Sequence, residues 1–352
     1  MKNISILVST FGSGGAEKQA ALLAQSLSKE YGILFVALYG EGNVSSYISE
    51  LERNGRISIF ILSGKLTQKF FQYAKILKNN DVCASFNYLT KPNFYGSIIE
   101  RICGVTYVYN GIRTSNLEFH KSVLEWISHT FFASKTIFNC YSGEIAFHKK
   151  GFRASKCVTI PNAFPDISNP IRHLGNDIIR IITVGRFHHL KDYKTAIETI
   201  SLIRDKGFRV IFMICGYGEQ ENLIKSWVQQ YDIQELVEFH INPTNIPALL
   251  QQADIYLSTS VIEGTSNSIM EAMNWSLPIV ATNVGDNSRM VIDGYNGYLT
   301  EPKDSESLSE CIIKLIKDVD QRNRYGENGN RLLRDNYSLE IFEKRYLSLF
   351  EK

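Results

Sequence analysis

Short apolar runs recur along the chain, each closed by glycine, serine or asparagine and followed by a stretch whose apolar residues fall on one helical face. Residues 4–10 predict a first strand, the turn holding Gly12, Gly14 and Gly15 closes it, and a helix is predicted over 16–29. Ala16, Ala20, Leu23, Ala24 and Leu27 share one side of that helix. Further strands are predicted over 34–39, 58–62, 82–86 and 107–109, with helical segments between them. The rhythm breaks over 160–177, where Pro161, Pro165 and Pro170 sit among Asn, Ser and Gly, as in a linker. It resumes with strands over 178–184, 210–215, 237–240, 254–260 and 278–281, and a helix is predicted over 337–350. Strand–helix alternation on both sides of a linker predicts an α/β protein of mostly parallel sheets in two domains. The expected division is 1–165, joined by the terminal helix at about 337–352, and 166–336. Two facing Rossmann-like domains would place a ligand cleft between them, beyond the carboxyl ends of the strands, which is where the motifs below fall.

Composition changes this picture little. A chain of 352 residues is long enough for two cores, and 44% hydrophobic with 21% charged residues is an ordinary soluble balance. The net charge of +2 hides an asymmetry: residues 1–165 carry 18 Lys and Arg against 10 Asp and Glu, whereas residues 166–352 carry 20 against 26. A basic first half suits an anionic partner such as a membrane surface or a lipid-linked diphosphate, although drift of surface charge gives the same numbers. Cys83, Cys103, Cys140, Cys157, Cys215 and Cys311 are scattered without a C-x-x-C pair and read as reduced core thiols. The histidines show no metal-ligand spacing; His188 and His189 are adjacent and are expected to point in different directions. The apolar run before Gly12 is too short for a signal peptide, and no run reaches the ~18–20 apolar residues of a membrane span. A cytoplasmic protein is expected, with any membrane contact peripheral.

The stretch E-G-T-S-N-S-I-M-E, from Glu263 to Glu271, follows a predicted buried strand and runs into a helix over about 267–274. Ser266 stands at the N-cap, where its side-chain oxygen is expected to accept a backbone N–H. A strand, a glycine turn and a helix N-terminus make an anion site, because free N–H groups and the helix dipole converge there. With most intervening residues helical, eight steps would separate the two carboxylates by roughly 12 Å, enough for one to hold a ribose and the other a second sugar. Eight-residue spacing alone also fits an ordinary helix with two solvated glutamates.

The longer run E-G-T-S-N-S-I-M-E-A-M-N-W-S-L-P-I-V-A-T-N-V-G resembles the glutamate–seven–glutamate region of the GT-B-fold retaining glycosyltransferases, the group-1 family (family 4). Other segments carry the same resemblance. Ser13-Gly14-Gly15-Ala16-Glu17-Lys18, after the first strand, resembles that family's G-G-A-E-[KR] turn, whose glycines permit positive φ and close approach to donor phosphates. Gly185 and Arg186 end the first strand of the second domain, and Lys191 follows five residues after Arg186, matching the family's arginine and lysine that neutralise a departing diphosphate. Gly216 and Gly218 resemble its G-x-G turn beside the nucleotide, although an ordinary strand–helix turn would look the same. Pro161-Asn162-Ala163-Phe164 resembles its P-N-G turn and reads as structural. One departure stands out: A-S-F-N-Y-L-T-K-P-N-F-Y-G lacks the histidine that many relatives carry after the fourth strand. It is similar to a subgroup with S-F and a later Asn instead, matched by Ser85, Phe86, Asn93 and Arg113.

The resemblance implies transfer of a sugar from a nucleotide sugar, a UDP-sugar above all, with retention of anomeric configuration. It implies no metal or other cofactor, and the acceptor hydroxyl would pass its proton to a phosphate oxygen. Arg186, Lys191 and Glu263 would be catalytic. Gly14, Gly15, Gly185, Gly216, Gly264, Thr265, Ser266, Asn267, Ser268 and Glu271 would bind the donor, with Glu263 on sugar hydroxyls and Glu271 on the ribose. Asn93 and Arg113 would bind the acceptor, a saccharide or lipid-linked saccharide of bacterial surface-glycan synthesis; nucleic acid is not an expected partner. Two other readings compete. An inactive accessory subunit would keep the fold, but the intact Arg186, Lys191, Glu263 and Glu271 set argues against it. A nicotinamide-dependent oxidoreductase would carry G-x-G-x-x-G after the first strand and an acidic residue ending the second, and neither is present.

Overall fold

The structure, a computed structural model, describes residues 2–12, 14–40, 46–114, 117–173 and 178–350. Ser13 of the glycine turn and residues 174–177 of the predicted linker lie outside them. The chain divides into two compact units, Met1–Pro165 with Leu339–Lys352, and Asp166–Ser338.

The first unit is built on a parallel seven-stranded sheet of β1 (Asn3–Val8), β2 (Gly32–Ala37), β3 (Ile57–Ile61), β4 (Val82–Tyr88), β5 (Tyr107–Ile112), β6 (Lys135–Phe138) and β7 (Cys157–Thr159). Their order is β3-β2-β1-β4-β5-β6-β7. The central strands read as continuous apolar runs because both faces are covered. In β2, Ile33, Phe35 and Ala37 enter one core with the helix Gly15–Leu27, while Leu34 and Val36 enter another on the opposite face. The predicted terminal helix is found as Leu339–Leu347, which packs Phe342 and Tyr346 into the first unit's core, and a separate helix, Val319–Tyr337, precedes it and ends at Ser338. Residues at the end of the first stretch also belong there, since the Gln19 amide bonds both Ala163 O (2.9 Å) and Ala163 N (2.8 Å).

The second unit holds a parallel six-stranded sheet of β8 (Ile179–Arg186), β9 (Val210–Tyr217), β10 (Val237–Ile241), β11 (Ile255–Ser258), β12 (Ile279–Thr282) and β13 (Gly297–Thr300). The order is β10-β9-β8-β11-β12-β13. In each unit the order reverses direction beside the first strand, between β1 and β4 and between β8 and β11. At such a switch point the loops leaving neighbouring strands diverge and open a crevice beyond their carboxyl ends. No helix among the described residues is long and apolar enough to cross a membrane. All six cysteines are free thiols, with Cys140 and Cys215 buried.

Candidate functional site

At the switch point of the second unit, Arg186 ends β8, the loop after it carries His188, His189 and Lys191, and the loop after β11 carries Glu263. The two loops are strapped together. Val261 N donates to Leu190 O (2.9 Å), and the Thr259 hydroxyl reaches the carbonyls of Lys191 and Asp192 (both 2.9 Å). Asp192 holds a left-handed backbone (φ 46°), rare for a residue with a Cβ, and its carboxylate caps the helix Tyr193–Asp205 through Thr195. That cap turns the chain so that Lys191 points back to the crevice, where its ammonium pairs directly with Glu263. Glu263 also accepts from the Ser260 hydroxyl (2.8 Å). The Lys191 and Glu263 side chains are only 27% and 12% exposed, so their attraction is less screened than that of a surface pair. Arg186 ends β8 with an exposed guanidinium that has no ion-pair partner among the described residues.

Glu271 lies in the helix Asn267–Asn274, so residues 263–266 are loop and the two glutamates are not eight helical steps apart. Ser266 occupies the N-cap, but its side chain does not accept a helix N–H; its hydroxyl lies 3.2 Å from that of Ser268. The expected side-chain cap is therefore absent. Beneath the loop, the buried Tyr256 phenol feels Glu263 and Glu271 and bonds Ser268, and burial above all pushes its pKa up. Gly264, Thr265 and Asn267 fall in this same turn. Its backbone is positioned from below by Gly285, whose φ is +55° and where a Cβ would stand 1.9 Å from Glu263 O.

Gly185 and Gly216 face each other in the β8–β9 register. A Cβ on Gly216 would meet Gly185 O at 1.9 Å, so this glycine lets two strands approach, whatever it does for a nucleotide. Gly14 and Gly15 belong to the first unit, at the turn after β1. Gly14 has an ordinary extended backbone (φ −64°) as N-cap of the helix Gly15–Leu27, so the expected positive φ is not used there.

The two residues expected to bind the acceptor both make bonds inside the first unit. Asn93 is fully buried in a turn of π-helix, Pro92–Gly96. Its amide nitrogen donates to Gly111 O (3.0 Å) and to both oxygens of Glu125 (2.9 Å each), and its oxygen accepts from Gly111 N (3.1 Å). Asn93 thus spends its amide inside the fold, where it fixes Glu125 and Gly111. Arg113 stacks on Tyr88 (4.4 Å) and donates through its two terminal nitrogens to Tyr346 of the terminal helix (3.1 Å) and to Asn162 (3.4 Å), while its buried Nε has no hydrogen-bond partner among the described residues. Ser85 and Phe86 are buried within β4.

The residue that Asn93 serves, Glu125, has no sequence signature. Burial pushes its pKa up to about 7, against the bonds from Asn93 and Thr90, which favour the ionised form. Because its folded pKa lies above its unfolded one, the native state is progressively penalised as pH rises through about 4.5 to 7. Glu125→Gln is expected to gain stability relative to wild type between pH 5 and pH 8, by an amount on the order of 3 kcal/mol. Denaturant titration of both proteins across that range measures it, and a pH-independent difference would contradict it.

The histidines also depart from expectation. His188 and His189 converge, with ring centroids 4.1 Å apart, because the 3-10 turn His189–Lys191 begins between them. Glu219 Oε1 lies 3.8 Å from His188 Nε2, and one ligand atom from each of the three residues lies within 4.8 Å of the others. His188 Nδ1 accepts from Leu190 N (3.3 Å), leaving Nε2 as its outward ligand atom. Two imidazoles and a carboxylate could hold a transition-metal ion.

Two parallel α/β units with cationic and anionic side chains at a switch point define a protein of the GT-B type. Comparison with known proteins carries this further. Residues 169–332, nearly all of the second unit, match the family model of the group 1 glycosyl transferases. An uncharacterized glycosyltransferase of Methanocaldococcus jannaschii is 27% identical over 63% of this chain and 62% of its own length. The capsular polysaccharide biosynthesis glycosyltransferase CapM of Staphylococcus aureus is 27% identical over 50% and 46%. The chain thus spans between about half and three-fifths of these curated relatives. Among solved structures, Anabaena HepE in complex with UDP superposes with a TM-score of 0.83 over 99% of both chains at 18% identity. The sucrose-phosphate synthase of Thermosynechococcus elongatus does so with 0.81 over 99% and 98% at 14%. These matches support the group 1 glycosyltransferase family and the GT-B fold.

Proposed function

We propose that this chain is a retaining glycosyltransferase of the group 1 family. It transfers a sugar from a nucleotide sugar, a UDP-sugar, to a saccharide or lipid-linked saccharide in the synthesis of a bacterial surface glycan. The second unit holds the donor and the first the acceptor. The observation that carries the reading is the Lys191–Glu263 pair at the β8/β11 switch point, inside the segment that matches the family model. The UDP bound by Anabaena HepE and the polysaccharide role in the name of CapM support the donor and the setting.

In this reading Arg186 and Lys191 neutralise the charge that grows on the leaving diphosphate, and no metal is required of that step. Glu263 holds hydroxyls of the transferred sugar, Glu271 holds the ribose, and the backbone of 264–268 approaches the diphosphate. The acceptor oxygen attacks from the leaving-group face, its proton passes to a phosphate oxygen, and no dedicated base is needed. The basic first unit provides peripheral contact with an anionic membrane. Glu271→Ala is expected to weaken UDP binding by about tenfold or more, as for a lost charge-assisted hydrogen bond, with turnover of bound donor little changed. Calorimetric titration of UDP and saturation kinetics separate the two effects.

Thermal shifts against UDP-, GDP- and ADP-sugars, followed by assays of nucleotide release, test the proposal. A UDP-sugar is expected to raise the Tm and to be turned over. Binding without any turnover would favour an inactive accessory subunit, and binding of no nucleotide sugar would reject the reading altogether.

A further inference from the structure

The first unit has its own crevice at its own switch point. A cavity of about 260 Å³ opens where the chain leaves β1, β4 and β5, bounded by Ser9, Thr90, Lys91, Gly111, Arg113 and, from the helix Phe119–Phe131, Lys121 and Glu125. Its volume is below the usual range for drug-sized ligands and leaves room for about one sugar ring. The chemistry around it is layered. Glu125 is only 2% exposed, and Asn93 fixes it by donating to both carboxyl oxygens (2.9 Å each). Asn93 is itself locked to Gly111, another residue of the wall, through its oxygen (3.1 Å) and nitrogen (3.0 Å). The carboxyl therefore stands at a set position with no cation bonded to it among the described residues, and Thr90 adds a hydroxyl beside it. Lys91 and Lys121 bring positive charge to the same cavity, Lys91 with its ammonium over the Tyr39 ring (5.0 Å) and Lys121 paired with the exposed Glu118 (3.0 Å), and Arg113 adds a further charge. A buried carboxyl that neutral donors hold in place suits the hydroxyls of a polyol, and the surrounding cations suit an anion.

We propose that this cavity binds a single hydroxylated ring bearing an anionic group, phosphate or carboxylate, with Glu125 engaging ring hydroxyls and Lys91 and Lys121 the anion. The inference rests on the assignment of the acceptor to the first unit, and it names the acceptor's chemical class: the sugar that receives the transfer is itself charged. Burial raises the Glu125 pKa to about 7, so near neutral pH the carboxyl is often protonated and able to donate as well as accept.

Calorimetric titration of the full chain with glucose 1-phosphate, glucuronate, methyl glucoside and inorganic phosphate tests the proposal, with UDP titrated in parallel. Glucose 1-phosphate or glucuronate is expected to bind at least tenfold more tightly than methyl glucoside or inorganic phosphate, and which of the two binds better identifies the anion. Lys91→Ala/Lys121→Ala should abolish that preference while leaving methyl glucoside binding unchanged. Glu125→Gln, which keeps the side chain's size, should weaken the charged sugars at least tenfold, and Lys191→Ala should not affect them. Thermal melting confirms that each variant is folded. The proposal is overturned if UDP binds but neither charged sugar does. It is equally overturned if the charged sugars bind the Glu125 and lysine variants as they bind wild type, or if Lys191→Ala abolishes their binding. A protein that binds glucuronate through Glu125 but binds no UDP would uphold this cavity and reject the proposed donor.

Discussion

Lys191→Ala is expected to lower turnover by about 100- to 1000-fold, the range seen when one preorganised group that stabilises developing charge is removed. Two effects combine in that number. The ammonium is lost where negative charge would appear on the leaving phosphate, and its partner Glu263 is left with only the Ser260 hydroxyl among its described bonds. An unpaired, mostly buried carboxylate repels an approaching diphosphate, so part of the loss is electrostatic opposition and not simply a missing contact. The second effect is separable. In Lys191→Ala/Glu263→Gln the repulsion is gone, so the double variant should lose less than the product of the two single losses, and a double-mutant cycle on kcat reads the difference. Strict multiplicativity would show that the pair does not act as a unit. The KM for donor should change less than kcat, because the interaction strengthens as the bond breaks.

Gly285→Ala is expected to do comparable damage from outside the charged cluster. The position has φ +55°, and the new methyl would stand 1.9 Å from Glu263 O and 2.7 Å from its carbonyl carbon. Both are backbone atoms, which no rotamer change can relieve, so the whole Glu263 turn must shift. Overpacking of this kind costs about 1–3 kcal/mol of stability, measurable by denaturant titration. A displacement near 1 Å of a group that positions substrate can cost about 100-fold in rate. The signature should be a fall in kcat/KM that persists at temperatures where the variant is fully folded. Activity lost only in proportion to unfolding would reduce Gly285 to a packing residue.

These residues mark the boundary of what could be read from the chain alone. The β8, β9 and β11 runs and the motifs at their ends were legible because local pattern creates them: an apolar strand, a glycine, then cations or a capped helix. Three strands were not. Lys135–Phe138, Cys157–Thr159 and Gly297–Thr300 break their few apolar residues with Lys, Thr or Gly, so no apolar run stands out, and pairing with a neighbouring strand defines them. The site was legible in the same partial way. Lys191 and Glu263 could be named, but they are 72 positions apart, and spacing says nothing about their direct bond. Tyr256 and Glu125 act through folded contacts and leave no motif, and Gly285, the last residue of the quoted glutamate run, gives no sign in the sequence of the Glu263 carbonyl it meets. Asn93 matched a pattern that says nothing of its partner: Glu125 is 32 positions away, and only the fold shows their bond. The adjacent histidines converge because a tight turn intervenes, which adjacency in sequence cannot reveal.

The central claim is that the cations after β8 serve a nucleotide-sugar donor. Steady-state turnover of the UDP-sugar used by the wild-type protein, repeated with Arg186→Ala/Lys191→Ala, tests it most directly. The expected result is a variant that still melts cooperatively and turns over at least about 1000-fold more slowly, since both charges proposed to face the leaving diphosphate are gone. Full turnover by that double variant would contradict the account.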